Sequence, residues 1–366
     1  MSRARTLSKL FNTDGNLNLS PVETINGNAP FGRKNLVING AMQVSQRGTT
    51  FTSPSNGDYT IDRIKAYQSG GGTYDVAQDS EAPDGFQYSL ELTNTGTDDP
   101  AAGDYYIVQH RVEGYNVAHL DWGTSNAKSV TLSFWVRSSV TGTYSIAMVN
   151  ADSNRSYPQT YTIDAANTWE HKTITVPGDT SGTWGKTNGE GIRLNFDLGS
   201  GSNFLGTAGA WASANYHGAI GQTEWINNSS STWYITGIQL EAGSTASDFD
   251  HRLYGEEFIL CQRYFMRFTG ANGQTMFGRP GFSQTNAANR LGLDFPNEMR
   301  APPTYSENNL YYWDGVNVGD LPTPGTTRMH TFSFDADYVV TSITTLRPLW
   351  FFFQSSSSHL TLDAEL

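Results

Sequence analysis

The sequence contains one cysteine and few charged residues. With Cys261 alone, no disulfide can form within the 366-residue chain, which indicates folding in a reducing compartment. The surrounding segment has the pattern of a helix, so we predict a buried thiol rather than a nucleophile. Lys, Arg, Asp and Glu together make up 16% of the residues, against about a quarter in typical proteins. Little of the chain is therefore typical of long, solvated helices.

Clusters of basic residues and long apolar runs are also missing. The chain has 23 Lys and Arg against 35 Asp and Glu, a formal net charge of -12, so it lacks what a phosphate backbone requires and nucleic acid is not expected as a partner. The densest apolar run, Leu349–Phe353, is too short to span a bilayer, and we expect no membrane insertion. Met1–Arg5 is not followed by the apolar region of a secretory signal. These features predict a soluble protein that is made in the cytoplasm.

Signatures of enzymes and metal sites are absent as well. The sequence has no phosphate-binding loop, zinc-protease motif, Cys-x-x-Cys pair or nucleophile elbow. Its seven histidines occur at no ligand spacing, so we expect no cofactor and no zinc, although calcium held by loop carboxylates stays an alternative. Asp98–Asp99 and Asp335 with Asp337 are acidic pairs that a glycosidase could use, but the pattern places neither pair in a cleft. We predict a protein that is not an enzyme.

Apolar and polar residues alternate with a period of two along the middle of the chain. This period is typical of strands with one face in a core, and 37 glycines help to separate the runs. We predict an all-β fold whose main part is an antiparallel, jelly-roll-like β-sandwich, with a strand order that the pattern does not give. The core-facing residues of the clearest runs are Val130, Leu132, Phe134 and Val136; Tyr144, Ile146 and Met148; Ile192, Leu194, Phe196 and Leu198; and Tyr234, Ile238 and Leu240.

The pattern divides the chain into three parts. Residues 1–35 have too little apolar surface for a core, and we interpret them as a docking segment. Residues 36–250 form the predicted sandwich. The stretch Tyr254–Phe268 reads as a short helix, or a helix that leads into a strand, with acidic residues in its first turn. It joins the sandwich to a second, smaller β-rich domain at 253–366.

Polar and aromatic residues on the outer strand faces are candidates for sugar binding. Opposite the row Ile192–Leu198 lie Arg193, Asn195 and Asp197, and Trp135 lies on the corresponding face of the 130–136 run. If these strands are neighbours, the four side chains would form a platform with a flat ring and planar polar groups. A solvated sheet face or a subunit interface explains each residue equally simply, and is the more common situation.

Three tryptophans, Trp184, Trp211 and Trp225, lie in loops rich in glycine and serine. A large ring exposed in a loop is unusual unless it binds a ligand or closes the edge of a core. The sequence leaves both interpretations open for all three, and we include them among the candidate glycan-binding residues.

Several long strings of residues form ordered patterns: Ser2–Phe11 with Asp14–Gly15; Asn35–Gly48 with Tyr59–Arg63; Tyr234–Gly243 with Phe249–Glu257 and Cys261–Tyr264; Pro296–Pro302; and Leu360–Leu366. These strings resemble tail fibre proteins of tailed bacteriophages. The resemblance implies a homotrimeric virion protein with a sandwich similar to carbohydrate-binding modules. It also implies that residues 1–35 attach to a phage tail or adaptor protein and that the sandwich contacts host-surface polysaccharide. Such a protein is made in the host cytoplasm and ends up in the virion as a tail appendage.

Two other functions remain open at this point. One is a purely architectural adaptor or head-fibre decoration protein without a ligand. The other, which the missing motifs disfavour, is a depolymerase that cleaves host glycans with a pair of carboxylates.

Overall fold

The computed structural model describes residues 34–270, 275–282, 289–321, 326–338, 348–353, 355 and 357–366. Residues 1–33, which make up nearly all of the predicted docking segment, lie outside the described residues. The predicted borders at 36–250 and 253–366 stay a prediction.

The first part of the chain forms a sandwich of two six-stranded sheets in which the strand pairs are antiparallel, as predicted. The first sheet has the order β1-β4-β5-β14-β7-β10 and the second β2-β3-β6-β11-β8-β9. The strands are β1 (Thr50–Phe51), β2 (Asp58–Tyr59), β3 (Ile64–Gln68), β4 (Thr73–Asp79), β5 (Ser89–Gly96), β6 (Tyr105–Glu113), β7 (Val130–Ser138), β8 (Gly142–Val149), β9 (Ser156–Ile163), β10 (Glu170–Val176), β11 (Glu190–Ser200), β12 (Leu205–Gly206), β13 (Gly218–Ala219) and β14 (Thr232–Ala242), with a helix α1 (Gly114–Val117) and 3-10 turns at Ala118–Leu120, Ser202–Phe204 and Trp225–Asn227.

The core of the sandwich consists of the alternating apolar residues of both sheets. The predicted inward rows of β7, β8 and β11 are all buried, and their side chains belong to one apolar cluster. Phe134 of the first sheet meets Phe196 of the second with ring centroids 5.3 Å apart. The short β12 and β13 pair in parallel outside the two sheets.

The last strand of the sandwich departs from the predicted alternation. We placed Tyr234 on the same face as Ile238 and Leu240, but a bulge between Thr236 and Gln239 shifts the register. At its centre Gly237 has φ 62°, a backbone conformation that suits glycine. Ile238 and Leu240 therefore point into the core, whereas the Tyr234 hydroxyl lies on the outside, within hydrogen-bonding distance of Glu91.

The predicted helix and the strand that follows it are both present. Helix α2 (Tyr254–Gln262) carries Glu256 and Glu257 in its first turn, and the buried Cys261 has a pKa raised well above its usual value by burial. The strands after it form sheets of order β15-β24-β18 and β20-β19-β23-β16-β17-β22-β21. They are β15 (Phe265–Thr269), β16 (Thr275–Phe282), β17 (Asn289–Asp294), β18 (Thr304–Asn308), β19 (Leu310–Trp313), β20 (Val318–Asp320), β21 (Thr326–Met329), β22 (Ser333–Tyr338), β23 (Pro348–Phe353) and β24 (His359–Asp363).

Buried ion pairs join the sandwich to the C-terminal β-rich part. Glu113, at the end of β6, accepts hydrogen bonds from Arg263 at 2.6 and 2.9 Å and from the Tyr264 hydroxyl at 2.5 Å. In the turn just before the neighbouring strand β3, the buried Arg63 forms an ion pair with Glu365. The side chains of Glu113, Arg63 and Glu365 are almost fully buried at this contact, whereas that of Arg263 is 31% exposed. Across the part of the chain that the structure describes, no helix has the length and apolarity needed to span a membrane.

Candidate functional site

The four outer-face residues that we expected to form one platform lie on different sheets. Trp135 is on β7 in the first sheet, whereas Arg193, Asn195 and Asp197 are on β11 in the second. β7 pairs with β10 and β14, and β11 pairs with β6 and β8. Outer faces of the two sheets of a sandwich point in opposite directions. The predicted platform is therefore wrong, since the condition that the two strands be neighbours is not met.

Two of the β11 residues are buried rather than solvated. Asn195 and Asp197 have no exposed surface, because the segment 201–223 crosses the outer face of β11. At Gly218 the backbone comes so close that an added Cβ would stand 2.4 Å from Asp197 Oδ2. Only glycine permits this approach. Arg193 is partly buried and borders the cleft described below.

The loop tryptophans mainly close the edges of the core. Trp184 and Trp225 are buried, the latter with its ring centroid 6.3 Å from that of Tyr74. Trp184, Trp211 and Trp122 pack edge to face, with centroids 4.6 to 5.5 Å apart. Trp211 is half-buried and donates a hydrogen bond from Nε1 to the Pro177 oxygen at 2.8 Å. Edge closure is thus the role that the structure gives to Trp184 and Trp225.

On the outer face of the first sheet, Trp135 belongs to a separate aromatic patch. Its ring centroid is 5.1 Å from that of His171 on the neighbouring β10. Nearby on the same sheet, the Arg137 guanidinium lies 4.9 Å from the centre of the Tyr234 ring, which in turn is 6.1 Å from Trp169. The half-buried Trp135 is therefore far from the second sheet's outer face and provides a control position for any site there.

The outer face of the second sheet carries a cleft of about 310 Å³. Its walls contain four aromatic rings centred on Tyr105, whose centroid is 6.0 Å from Tyr67, 5.2 Å from Phe204 and 5.1 Å from His217. Phe204 and His217 stack nearly parallel at 4.4 Å. Burial lowers the pKa of His217 to about 4, so the imidazole is neutral at pH 7 and stacks as an uncharged ring. The other residues of the cleft are Ile107, Gln109, Arg193 and Asn215.

Polar groups in and beneath the cleft are held in fixed orientations. The Gln109 amide donates to Asn195 Oδ1 at 2.8 Å and accepts from Arg111 Nε at 2.7 Å, which fixes its rotamer. Three buried atoms, Asn195 Nδ2, Asn215 Oδ1 and His217 Nδ1, have no hydrogen-bond partner. Leaving such groups unpaired costs about 1 to 3 kcal/mol each. Asn195 lies beneath the cleft, whereas Gln109, Asn215 and His217 line it and offer polar side chains to a ligand.

A group of cations borders the cleft, and we call Lys65, Arg111 and Arg193 the cationic rim. They come from the three adjacent strands β3, β6 and β11, with Arg111 directly opposite Arg193 in the register. Glu190 pairs with Arg193 at 2.8 Å and with Arg111 at 3.1 Å. Burial, together with the two arginines, lowers the pKa of Lys65 to about 8. The lysine is thus charged at pH 7 but poorly stabilised.

Next to the cleft, segment 201–223 covers the buried carboxyl of Asp197, whose pKa is raised. Burial raises the pKa of Asp197 to about 6, although Ser200, Gln222 and the Gly199 amide partly oppose the shift. Burial and the nearby Asp197 raise the pKa of Glu224 to about 7. Asp197 is fully buried and Glu224 is partly buried, and neither is among the residues that line the cleft.

The two acidic pairs noted in the sequence are engaged in local contacts. Asp98 accepts a hydrogen bond from the Tyr106 hydroxyl, and Asp337 forms ion pairs with Arg290 at 3.0 Å and Arg328 at 2.8 Å. Within the ranges that the structure describes, no group of three or more His, Cys, Asp or Glu side chains is arranged to hold a metal ion.

Sequence reasoning missed the aromatic residues of the cleft. β6 carries apolar or aromatic residues on both faces, with Tyr106 and Val108 inward and Tyr105 and Ile107 in the cleft, so it shows no clean alternation. The sequence signal that could have identified the cleft was Tyr67 on β3 and Tyr105 on β6, each in a position that faces away from the core. Phe204 and His217 could not be found in this way, because their loop reaches the cleft only through the tertiary fold.

Comparisons with known proteins give similarity of fold only. No protein-family model and no curated protein matches the chain. A family 4 carbohydrate-binding module is 16% identical, with a TM-score of 0.29 over 56% of this chain and 99% of the module. The module TmCBM61, solved in complex with β-1,4-galactotriose, is 11% identical, with a TM-score of 0.28 over 57% of this chain and 99% of the module.

A phage protein is among the similar structures. The enzymatically active domain of tailspike protein 4 from bacteriophage CBA120 is 14% identical, with a TM-score of 0.28 over 52% of this chain. The match covers 21% of that domain, so this chain spans about a fifth of the length of the tailspike domain it matches. At such TM-scores the similarity does not extend to function. The chain is an all-β protein with a β-sandwich, and its function has to be inferred from the cleft.

Proposed function

We propose that this protein binds an oligosaccharide in the cleft on the outer face of the second sheet. The observation that carries the proposal is the combination of four aromatic rings around Tyr105 with the fixed amide of Gln109. Sugar rings have apolar faces that pack on aromatic side chains, and hydroxyl edges that need planar hydrogen-bonding groups. The cleft, with a volume of about 310 Å³, offers both aromatic side chains and planar hydrogen-bonding groups.

The polar side chains that line the cleft favour a ligand rich in hydroxyl groups. Gln109 and Asn215 carry amide groups and His217 a neutral imidazole, so the lining contains both donors and acceptors. A hydroxyl group both donates and accepts, so one kind of ligand matches both.

Two substitutions test the cleft. We expect Tyr105→Ala and Gln109→Ala each to weaken oligosaccharide binding about tenfold, because they remove the central ring and the oriented amide, and such contacts contribute on the order of 1 kcal/mol. A glycan array would identify the ligand, and calorimetric titration of the full chain would give the affinities. Trp135→Ala, which removes a half-buried ring from the opposite sheet, is the matched control and should bind as the unmodified protein does.

The outcome of that experiment separates the alternatives. Loss of binding in the Trp135→Ala variant, with normal binding in the cleft variants, would place the site on the first sheet instead. An array without any specific signal would contradict glycan binding and support the architectural function. Release of reducing ends from a bound polysaccharide would overturn our prediction that the protein is not an enzyme and support the depolymerase.

We further propose that the chain is a bacteriophage tail fibre, on the resemblance of its sequence strings to such proteins. Residues 1–35 would attach the protein to a phage tail or adaptor protein, and the cleft would contact host-surface polysaccharide during adsorption. Several copies on one particle would turn weak individual contacts into firm attachment.

A homotrimer gives this proposal a simple physical test. Light scattering of the purified full chain should yield about three times the 40.2 kDa of one copy. A monomer at micromolar concentration would contradict the trimeric fibre, while the cleft could still bind its sugar.

A further inference from the structure

The cationic rim contrasts with the rest of the molecule. The chain has a formal net charge of -12, yet Lys65, Arg111 and Arg193 stand together on three adjacent strands at one border of the cleft. Glu190 is the carboxylate that pairs directly with the two arginines. Among the residues that the structure describes, these three positive charges face one side-chain carboxylate at ion-pair distance, and Arg111 also donates to the Leu366 oxygen at 2.7 Å. The border of the cleft thus carries a local excess of positive charge.

Lys65 is the least compensated member of the rim. Within the described part of the chain, no carboxylate lies within 4.0 Å of its ammonium group. Its Nζ instead lies 5.5 Å from the centre of the Tyr67 ring and 5.0 Å from that of Tyr59. Tyr67 lines the cleft, so this ammonium group stands directly beside the aromatic wall.

Arg193 brings a second incompletely paired cation into the cleft itself. Its two terminal nitrogens are engaged, one with Ser153 Oγ at 3.0 Å and one with Glu190 at 2.8 Å. Its Nε is buried and has no hydrogen-bond partner. This atom has no surface that faces the cleft, so what a ligand meets is the charge of the whole guanidinium, which shares the one carboxylate of Glu190 with Arg111.

We propose that the cleft selects an acidic sugar, whose negatively charged group lies against Lys65 and Arg193 while its ring packs on Tyr67 and Tyr105. This inference rests on the proposed glycan binding and adds the chemical class of the ligand. A carboxylate on the sugar ring supplies the charge that the rim lacks, and neighbouring hydroxyls reach Gln109 and Asn215. A neutral sugar would satisfy the hydroxyl-binding groups but leave the rim uncompensated.

Pairs of oligosaccharides that differ only in charge test whether the cleft prefers acidic sugars. The full chain is titrated with oligosaccharides of galacturonic, glucuronic and mannuronic acid, and with the same oligosaccharides after reduction of each carboxyl to a primary alcohol. Reduction removes the charge and keeps the ring and its hydroxyls. We expect at least one acidic oligosaccharide to bind, and its reduced counterpart to bind about tenfold or more weakly. Titration with phosphorylated and sulfated oligosaccharides shows whether other negatively charged groups can replace the carboxylate in binding.

The outcomes distinguish the two proposals. Equal binding of an acidic oligosaccharide and its reduced counterpart would overturn the selection for acidic sugars and leave glycan binding intact. Binding of neutral sugars alone on a glycan array would likewise overturn the selection for acidic sugars and leave glycan binding intact. If no oligosaccharide of either kind binds, and the array is also empty, the proposed function itself fails.

A substitution at Lys65 gives an independent readout. We expect Lys65→Met to weaken binding of the acidic oligosaccharide about tenfold and to leave binding of the reduced one unchanged, because only a charge is removed. Lys128→Met is the matched control, since this exposed lysine pairs with Asp121 away from the cleft and its loss changes the net charge equally. Equal weakening in both variants would contradict a specific role of Lys65.

The affinity should also depend on pH in a way that identifies Lys65. With the pKa of Lys65 at about 8, affinity for the acidic oligosaccharide should be steady from pH 6 to 7 and fall about fivefold by pH 9, as the lysine loses its proton. The charged groups that act on Lys65 are Arg111, Arg193, Glu190 and Asp363. Near the cleft, burial brings the pKa of His217 to about 4, that of Asp197 to about 6 and that of Glu224 to about 7. In Lys65→Met the fall should disappear. A fall that persists in this variant would assign the dependence to another group.

Discussion

Replacing Arg63 by methionine is expected to lower the free energy of unfolding by about 3 to 5 kcal/mol, the usual cost of breaking a buried ion pair from one side. Arg63 is 1% exposed, and its guanidinium lies 3.5 Å from the centre of the Tyr264 ring. One terminal nitrogen pairs with Glu365, and the other donates to the Arg111 oxygen at 2.6 Å. Methionine fills similar volume but removes the Arg63 donor from both oxygens, and Glu365 keeps only its longer ion pair with Arg47 at 3.4 Å.

Two further variants show whether the charge is the cause. Arg63→Lys keeps the positive charge but loses the planar fork, so it should lose less stability than Arg63→Met. Adding Glu365→Gln to Arg63→Met removes the buried negative charge and should restore part of the loss. Together with Glu365→Gln alone, these variants complete a double-mutant cycle that measures the coupling of the pair. Urea denaturation followed by tryptophan fluorescence provides the measurement. A loss under about 1 kcal/mol in Arg63→Met would show that this contact does not fix the C-terminal part to the sandwich.

Replacing Asp197 by asparagine is expected to stabilise the protein more at pH 7 than at pH 4, by about 2 to 3 kcal/mol. The cause is burial, which raises the pKa of Asp197 from 3.8 to about 6. Below pH 3.8 the carboxyl is protonated in both the folded and the unfolded chain and has no effect. Between about pH 4 and 6 the unfolded chain releases the proton while the folded chain keeps it, so stability is lost as the pH rises. Above about pH 8 the penalty is constant.

Asparagine has no proton to release and escapes this penalty. It also keeps the oxygen that accepts from the Gly199 amide at 2.8 Å, so the local hydrogen bond survives. The difference in unfolding free energy between the variant and the unmodified protein should therefore rise steeply from pH 4 to 7 and level off above about pH 8, once Glu224, whose pKa the Asp197 charge helps raise to about 7, is also ionised. Asp164→Asn, at a largely exposed carboxylate, serves as the control and should show no such rise. A flat difference for Asp197→Asn would mean that this carboxyl titrates normally in the folded protein.

The segment that buries Asp197 also supplies part of the cleft. Segment 201–223 brings Phe204 and His217 to the aromatic wall and places Gly218 against Asp197. Binding and stability therefore depend on one loop, which is a reason to measure both in each variant. The Asp197→Asn variant should keep its affinity for the oligosaccharide, since the carboxyl itself does not reach the cleft.

The sequence by itself determined the fold class and the inward faces of the strands. Period-two alternation correctly identified the buried rows on β7, β8 and β11, because a strand with one face in a core must alternate. The helix α2 and the burial of Cys261 also followed from a local pattern. These features depend on residues a few positions apart, and local sequence carries that information.

Only the tertiary structure decided where the candidate site lies. The pattern could not show that β7 and β11 belong to different sheets, so Trp135 was grouped wrongly with Arg193. Nor could it show that a distant loop covers Asn195 and Asp197, or that the bulge at Gly237 turns Tyr234 outward. Strand order and loop packing depend on contacts between residues far apart in the chain. Alternation states which face of a strand is apolar, and it does not say which other strand or loop that face will meet.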